Sequence, residues 1–169
     1  MFSSNQAAQI VEALPINVLT CNPKTFVIES ANARSIATLN SIQHLLPSGV
    51  SGDTIVGQCI DVFHKDPLRI RQILSDPRNL PHKALIRLGP EILDLHVELM
   101  PNGKLMLAWS VATERERLRI MIERMPINVM MTDPHDFKIN YINETSRQTL
   151  KTIEHLLPVK VDDVVGTCI

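Results

Sequence analysis

The sequence predicts an α+β fold: a five-stranded antiparallel sheet with helices on one face, then a linker helix and a truncated second copy of the same unit. Three observations carry this. Residues 82–111 alternate apolar and polar side chains in three segments, broken at Gly89-Pro90 and Pro101-Asn102-Gly103, as in a meander of half-buried strands. Residues 32–46 and 68–74 instead space their apolar residues for helices. Finally, residues 14–47 recur as 125–158 without a gap, with 16 of 34 positions identical. Helices packed on one side of a sheet are the simplest way to bury these faces together.

Taken in order, residues 3–13 predict a short amphipathic helix. Ser3 or Ser4 would cap it, Ala7, Ile10, Val11 and Leu14 would form its stripe, and Pro15 would end it. Ile16 to Thr20 reads as a strand, Asn22-Pro23-Lys24-Thr25 as a turn, and Phe26-Val27-Ile28 as the start of a second strand, together an antiparallel hairpin. Asn32 to Leu46 predicts a helix stopped by Pro47, and residues 48–53 a loop.

In GQCIDVFHKDPLRIRQIL, residues 57–74, an apolar run meets a helix start. Asp66 is placed to cap that helix and Pro67 to occupy its first turn, which leaves His64 at the junction. The meander follows. Leu93, Leu95 and Val97 share one face of its middle strand, and Leu105, Leu107 and Trp109 one face of its last. Thr113 and Glu116 have the spacing of a capping box, opening a helix over residues 113–124 whose stripe is Leu118, Met121, Ile122 and Met125. The domains predicted are thus a helix over 1–13, a complete unit over 14–112, a linker helix over 113–124 and an incomplete repeat over 125–169. Gly57-Gln58-Cys59-Ile60 returns at Gly166-Thr167-Cys168-Ile169, so the second copy has no equivalent of His64 and no meander.

Composition narrows the function. With 44% hydrophobic and 21% charged residues the chain is globular, and a net charge of −1 gives no footprint for nucleic acid or an anionic membrane. No apolar run approaches the roughly 20 residues of a membrane-spanning helix. The cysteines, Cys21, Cys59 and Cys168, are widely spaced and form no C-x-x-C pair, which predicts a reduced, cytoplasmic setting; Cys59 and Cys168 sit in apolar runs and are expected to pack. No nucleophile, phosphate-loop or zinc-hydrolase signature occurs, so a non-enzymatic role is expected.

The segments LPINVLTCNPKTFVIESAN, HLLP, GQCIDVFHKDP and ILSDPRNLPHKALIRLGPEILDL resemble a PAS domain of bacterial methyl-accepting chemotaxis proteins. They are most similar to the haem-binding PAS domains of soluble aerotaxis-type chemoreceptors. The resemblance covers roughly residues 12–112 and, as a fragment, 123–169. It implies that His64 ligates the iron of haem b and that Trp109 faces a bound diatomic gas, oxygen foremost. It also implies that Leu93 or Leu95 lines the distal pocket. Some relatives carry a further histidine five residues after the ligand, where this chain has Arg69.

The chemistry is coherent: a b-type haem needs an axial base and an apolar cavity, and bound dioxygen needs a donor, which the indole N–H supplies in a wall shared with Leu107. His82, at a strand start, is the second candidate ligand, and with Lys65, Arg69 and Arg71 a candidate for the propionate rim. His96 is expected in solvent, beside Asp94 and Glu98. Two further functions fit the same fold: a cofactor-free module that pairs chains as a homodimer through its flanking helices, and a flavin-binding redox sensor.

Overall fold

A computed structural model describes residues 4–168, and within the first helix the side chains from residue 6 onward except that of residue 7. The chain folds as two compact units, Met1–Thr113 and Glu114–Ile169.

The first unit opens with helix α1 (Ser4–Ala13). The expected caps Ser3 and Ser4 and the stripe residue Ala7 lie outside the described residues and side chains. Ile10 and Val11 are exposed, so the stripe at these positions faces solvent and not the core. Strands β1 (Asn17–Cys21) and β2 (Ile28–Ala31) form the hairpin, with a register shift after Thr20. The second strand starts later than the alternation suggests, because Phe26 takes a left-handed backbone (φ 59°) in the turn and Val27 bridges to Cys59.

Helix α2 (Ala33–Ser41) is capped by Asn32, whose side chain accepts from the Ser35 amide. The predicted helix to Leu46 breaks at Ile42 and tightens into a 3-10 turn over Gln43–Leu45. A second 3-10 turn, Ile60–Phe63, leads through His64 to α3 (Pro67–Ser75), with Asp66 accepting from the Arg69 amide and Pro67 in the first turn. The meander then runs β3 (His82–Leu88), β4 (Glu91–Leu99) and β5 (Leu105–Val111). All five strands are antiparallel in the order β2-β1-β5-β4-β3.

That order joins the ends of the unit in sequence: β1 lies against β5, with Asn17 opposite Trp109 and Cys21 opposite Leu105. One core cluster comprises Leu19, Ile28, Leu39, Ile42, Val50, Ile55, Leu93 and Trp109. A second gathers Cys21, Phe26, Leu74 and Leu105, drawing α3 onto the sheet. Burial holds the Cys21 thiol up at about 12, with Cys59 and Glu29 adding to the shift, so it stays protonated and acts as a small apolar side chain.

The second unit contains α4 (Thr113–Glu123), β6 (Met130–Thr132), β7 (Ile139–Ile142) and α5 (Glu144–Thr152), with α4 beginning one residue inside the first unit. The expected capping box does not form. The Thr113 hydroxyl is engaged with Glu91 and the Ile92 amide, while Glu116 pairs with Arg119 and Arg115. Leu118 and Met121, half of the predicted stripe, are exposed. Ile139, Ile142 and Val164 form the small core of this unit. Cys168 is exposed, which corrects its expected packing role.

Candidate functional site

Strand pairing brings the predicted wall residues onto one face of the sheet. Trp109 stands directly opposite Leu95, and Leu95 opposite Ala84. In the next row on the same face Leu107 stands opposite Val97, and Val97 opposite His82. Leu93 lies one row the other way, opposite Val111 and Ile86. Alternate residues of a strand share a face, so Leu93, Leu95, Leu107, Trp109 and His82 fall on one contiguous patch about three rows high. Leu93 and Trp109 are buried, whereas Leu95, Leu107 and His82 are half-buried. His96 lies on the opposite face and pairs with Glu98 at 2.9 Å.

His64 closes the 3-10 turn at Ile60–Phe63. Its Nδ1 lies 2.8 Å from the Ile60 carbonyl oxygen. A carbonyl can only accept, so Nδ1 bears the hydrogen in this contact, and it is Nε2 that is left over for a further partner. Ile60 and Phe63, which frame this histidine, both pack against the core cluster that contains Trp109. The local backbone therefore selects the Nδ1–H tautomer, on a turn that packs against this core cluster.

Around this turn, Arg71 forms an ion pair with Asp61 at 2.6 Å, donates to the Cys59 sulfur at 3.3 Å and lies over the Phe26 ring. The hydrogen bond from Arg71 holds the Asp61 carboxyl below its ordinary range, against a smaller opposing effect of burial. Arg71 is thereby committed to bracing the turn, a role different from the rim position expected of it.

At the other end of the patch, the Trp109 indole N–H donates to the Ser35 hydroxyl at 3.1 Å. Ser35 is fully buried and Trp109 only 5% exposed. Nothing in the sequence pattern around Ser35 alone marks it as part of the site. The one signal available is its recurrence as Ser146, three residues after Asn143, in the repeat.

The residues fit a b-type haem in kind. A histidine whose other ring nitrogen donates to a backbone carbonyl is a common axial base. The sheet face of Leu93, Leu95 and Leu107 is mainly apolar and carries the Trp109 N–H as a donor. Among the described residues no group of three or more His, Cys, Asp or Glu side chains is arranged to hold a bare metal ion, and a haem needs only the one base.

No family model matches the chain, and no curated protein matches it significantly. Comparison with solved structures defines the class: the first unit is a PAS domain. It is related to that of the aerotaxis receptor, being similar to "The Aer2 Receptor from Vibrio cholerae is a Dual PAS-Heme Oxygen Sensor", with 26% sequence identity, coverage of 60% of this chain and 97% of the other, and a TM-score of 0.53. The PAS domain of BvgS from Bordetella pertussis also aligns, at 12% identity over 69% of this chain and 90% of the other, but its TM-score of 0.37 adds no weight. Among the described residues no helix is long and apolar enough to cross a membrane.

Proposed function

We propose that the first unit is a gas-sensing PAS domain of a chemotaxis-type signalling protein, which binds haem b through His64 and senses a diatomic gas, oxygen foremost. The observation that carries this is the His64 ring, held by the Ile60 carbonyl with Nε2 left over, on a turn whose Ile60 and Phe63 pack against the apolar cluster that contains Trp109. The similarity to a receptor described as a PAS-haem oxygen sensor supports the same reading. Bound haem would supply an iron able to take a diatomic ligand. His64 would hold the group, the half-buried Leu95, Leu107 and Phe63 would yield space around it, and Leu93 would stay as a fixed wall. Trp109 would donate its N–H to a ligand that carries partial negative charge. His82, half-buried on the same face, would lie at the rim.

The flanking helices α1 and α4 would carry the output. Residues 125–169 would be an incomplete second PAS repeat. Optical spectra of the full chain reconstituted with haem test the reading. His64→Ala should abolish the Soret band of the wild type or change its coordination, and an unchanged band would rule His64 out as the ligand. A second reading has its own support: Ile10 and Val11 on α1 and Leu118 and Met121 on α4 expose apolar surface, as a cofactor-free module that pairs chains would. Colourless protein that takes up no haem yet sediments as a dimer would favour that reading.

A further inference from the structure

Resting on that reading, we propose that Ser35 is a positioning residue for Trp109: its hydroxyl holds the indole N–H toward α2 in the ligand-free protein, and a diatomic ligand must win that proton from it. The N–H has one hydrogen to donate, and it is already donated at 3.1 Å inside the core. The gas-binding wall is therefore not a donor waiting for a ligand. It is a donor with a buried acceptor, and the ligand competes with that acceptor.

Ser35 suits this role because it is held from every side. Its amide donates to the Asn32 Oδ1 at 3.0 Å, and its hydroxyl donates to the Val18 carbonyl at 3.1 Å while accepting from Trp109. Asn32, only 3% exposed, ties the same point to the end of α1. Its Nδ2 donates to the carbonyls of Val11 and Ile16, and its Oδ1 also accepts from the Val18 amide. Glu12 of α1 accepts from the Ala33 amide. A change at the indole thus reaches the flanking helix through three residues, 109, 35 and 32, each fixed by a buried hydrogen bond.

The repeat supplies an internal control. Ser146 stands where Ser35 does, and its hydroxyl lies 2.9 Å from the Val129 carbonyl, the counterpart of Val18. With no tryptophan in that unit, the same hydroxyl also turns to the cap residue, reaching the Asn143 Oδ1 at 2.8 Å. No such contact to Asn32 is formed by Ser35, whose hydroxyl is drawn toward the indole. The arrangement at Ser146 is the one that Ser35 is expected to adopt once a ligand accepts the Trp109 hydrogen bond in its place.

The test uses the full chain with Ser35→Ala and, because the site is closely packed, the near-isosteric Ser35→Cys. Trp109 is the only tryptophan, so a single indole N–H resonance in a nitrogen-proton correlation spectrum of haem-free protein reports the contact directly. Ser35→Ala should shift that resonance and speed its exchange with solvent, with Ser35→Cys between Ala and wild type. In haem-loaded protein, oxygen affinity should rise by roughly two- to ten-fold in Ser35→Ala, the equivalent of one competing neutral hydrogen bond, and by less in Ser35→Cys. An indole resonance that does not move overturns the contact. Normal haem uptake with unchanged oxygen affinity overturns the role of Ser35 while leaving His64 and haem in place. A wild-type chain that takes up no haem overturns both.

Discussion

Leu19 and Met130 occupy equivalent places in the two copies of the repeat, as do Phe26 and Phe137, yet the first of each pair is buried (7% and 3% exposed) and the second exposed (44% and 55%). The local structure is nevertheless the same. Both hairpins have equivalent register and shift it at the same point, after Thr20 and after Met131. Phe26 and Phe137 have φ of 59° and 55°, and the bridges Val27–Cys59 and Lys138–Cys168 correspond. Asn32 and Asn143 each cap the following helix through the amide three residues on. The turn, the bulge and the cap are therefore made by the repeat itself, while the burial of its apolar face needs the strands β3, β4 and β5. In the first unit Leu105 and Leu74 complete the cluster around Phe26.

The phenylalanines put this contrast at greatest risk. Phe26→Ala should cost about 3–5 kcal/mol, the range for emptying a packed aromatic site, whereas Phe137→Ala should stay within about 0.5 kcal/mol, as for exposed positions. Urea unfolding checks the first through Trp109 fluorescence and the second through hydrogen exchange of the Ile139 and Ile142 amides. Equal costs would mean that Phe137 is covered in solution.

The two caps probe the units on a smaller scale, because here the copies are alike. Asn32→Ala and Asn143→Ala each strand several buried partners and should each destabilise their own unit by about 1–3 kcal/mol. Only Asn32→Ala should move the Trp109 transition. If Asn143→Ala moves it equally, the two units unfold as one.

The smallest effect is expected from the Asp61–Arg71 pair, which has no counterpart in the second unit. The folded protein lowers the Asp61 carboxyl, through the hydrogen bond from Arg71 first. Its contribution to stability is therefore fully present above the ordinary carboxylate value of about 3.9 and lost as pH falls through the depressed one. Both side chains are about one-third exposed, so solvent screens the pair and the effect is modest. Asp61→Asn should flatten the acid limb of the first unit's pH–stability profile and leave the profile above pH 6 unchanged in slope.

Much of this architecture is legible in the residues. The alternation through Leu93, Leu95 and Val97 marks β4, and Pro67 after Asp66 marks the start of α3. The patch holding Trp109, Leu95, Leu107 and His82 follows from strand parity once the strands are paired. Where the structure departs from expectation, the causes are physical. Thr113 and Glu116 have capping-box spacing, but each found a stronger partner, Glu91 and Ile92 for the threonine and Arg119 for the glutamate. Phe26 belongs to the turn because its ring reaches the second core cluster from a left-handed backbone.

The order of the amino acids settles what depends on neighbours a few residues apart: the hairpins, the asparagine caps, the helix starts and the faces of the strands. That β1 lies beside β5, and hence that an indole at 109 meets a hydroxyl at 35, is a product of the folded chain alone. Local periodicity records which side of an element is apolar, but a hydrogen bond between residues 74 positions apart depends on how the sheet closes. That closure comes from burying all the faces at once, which no single segment of the chain specifies.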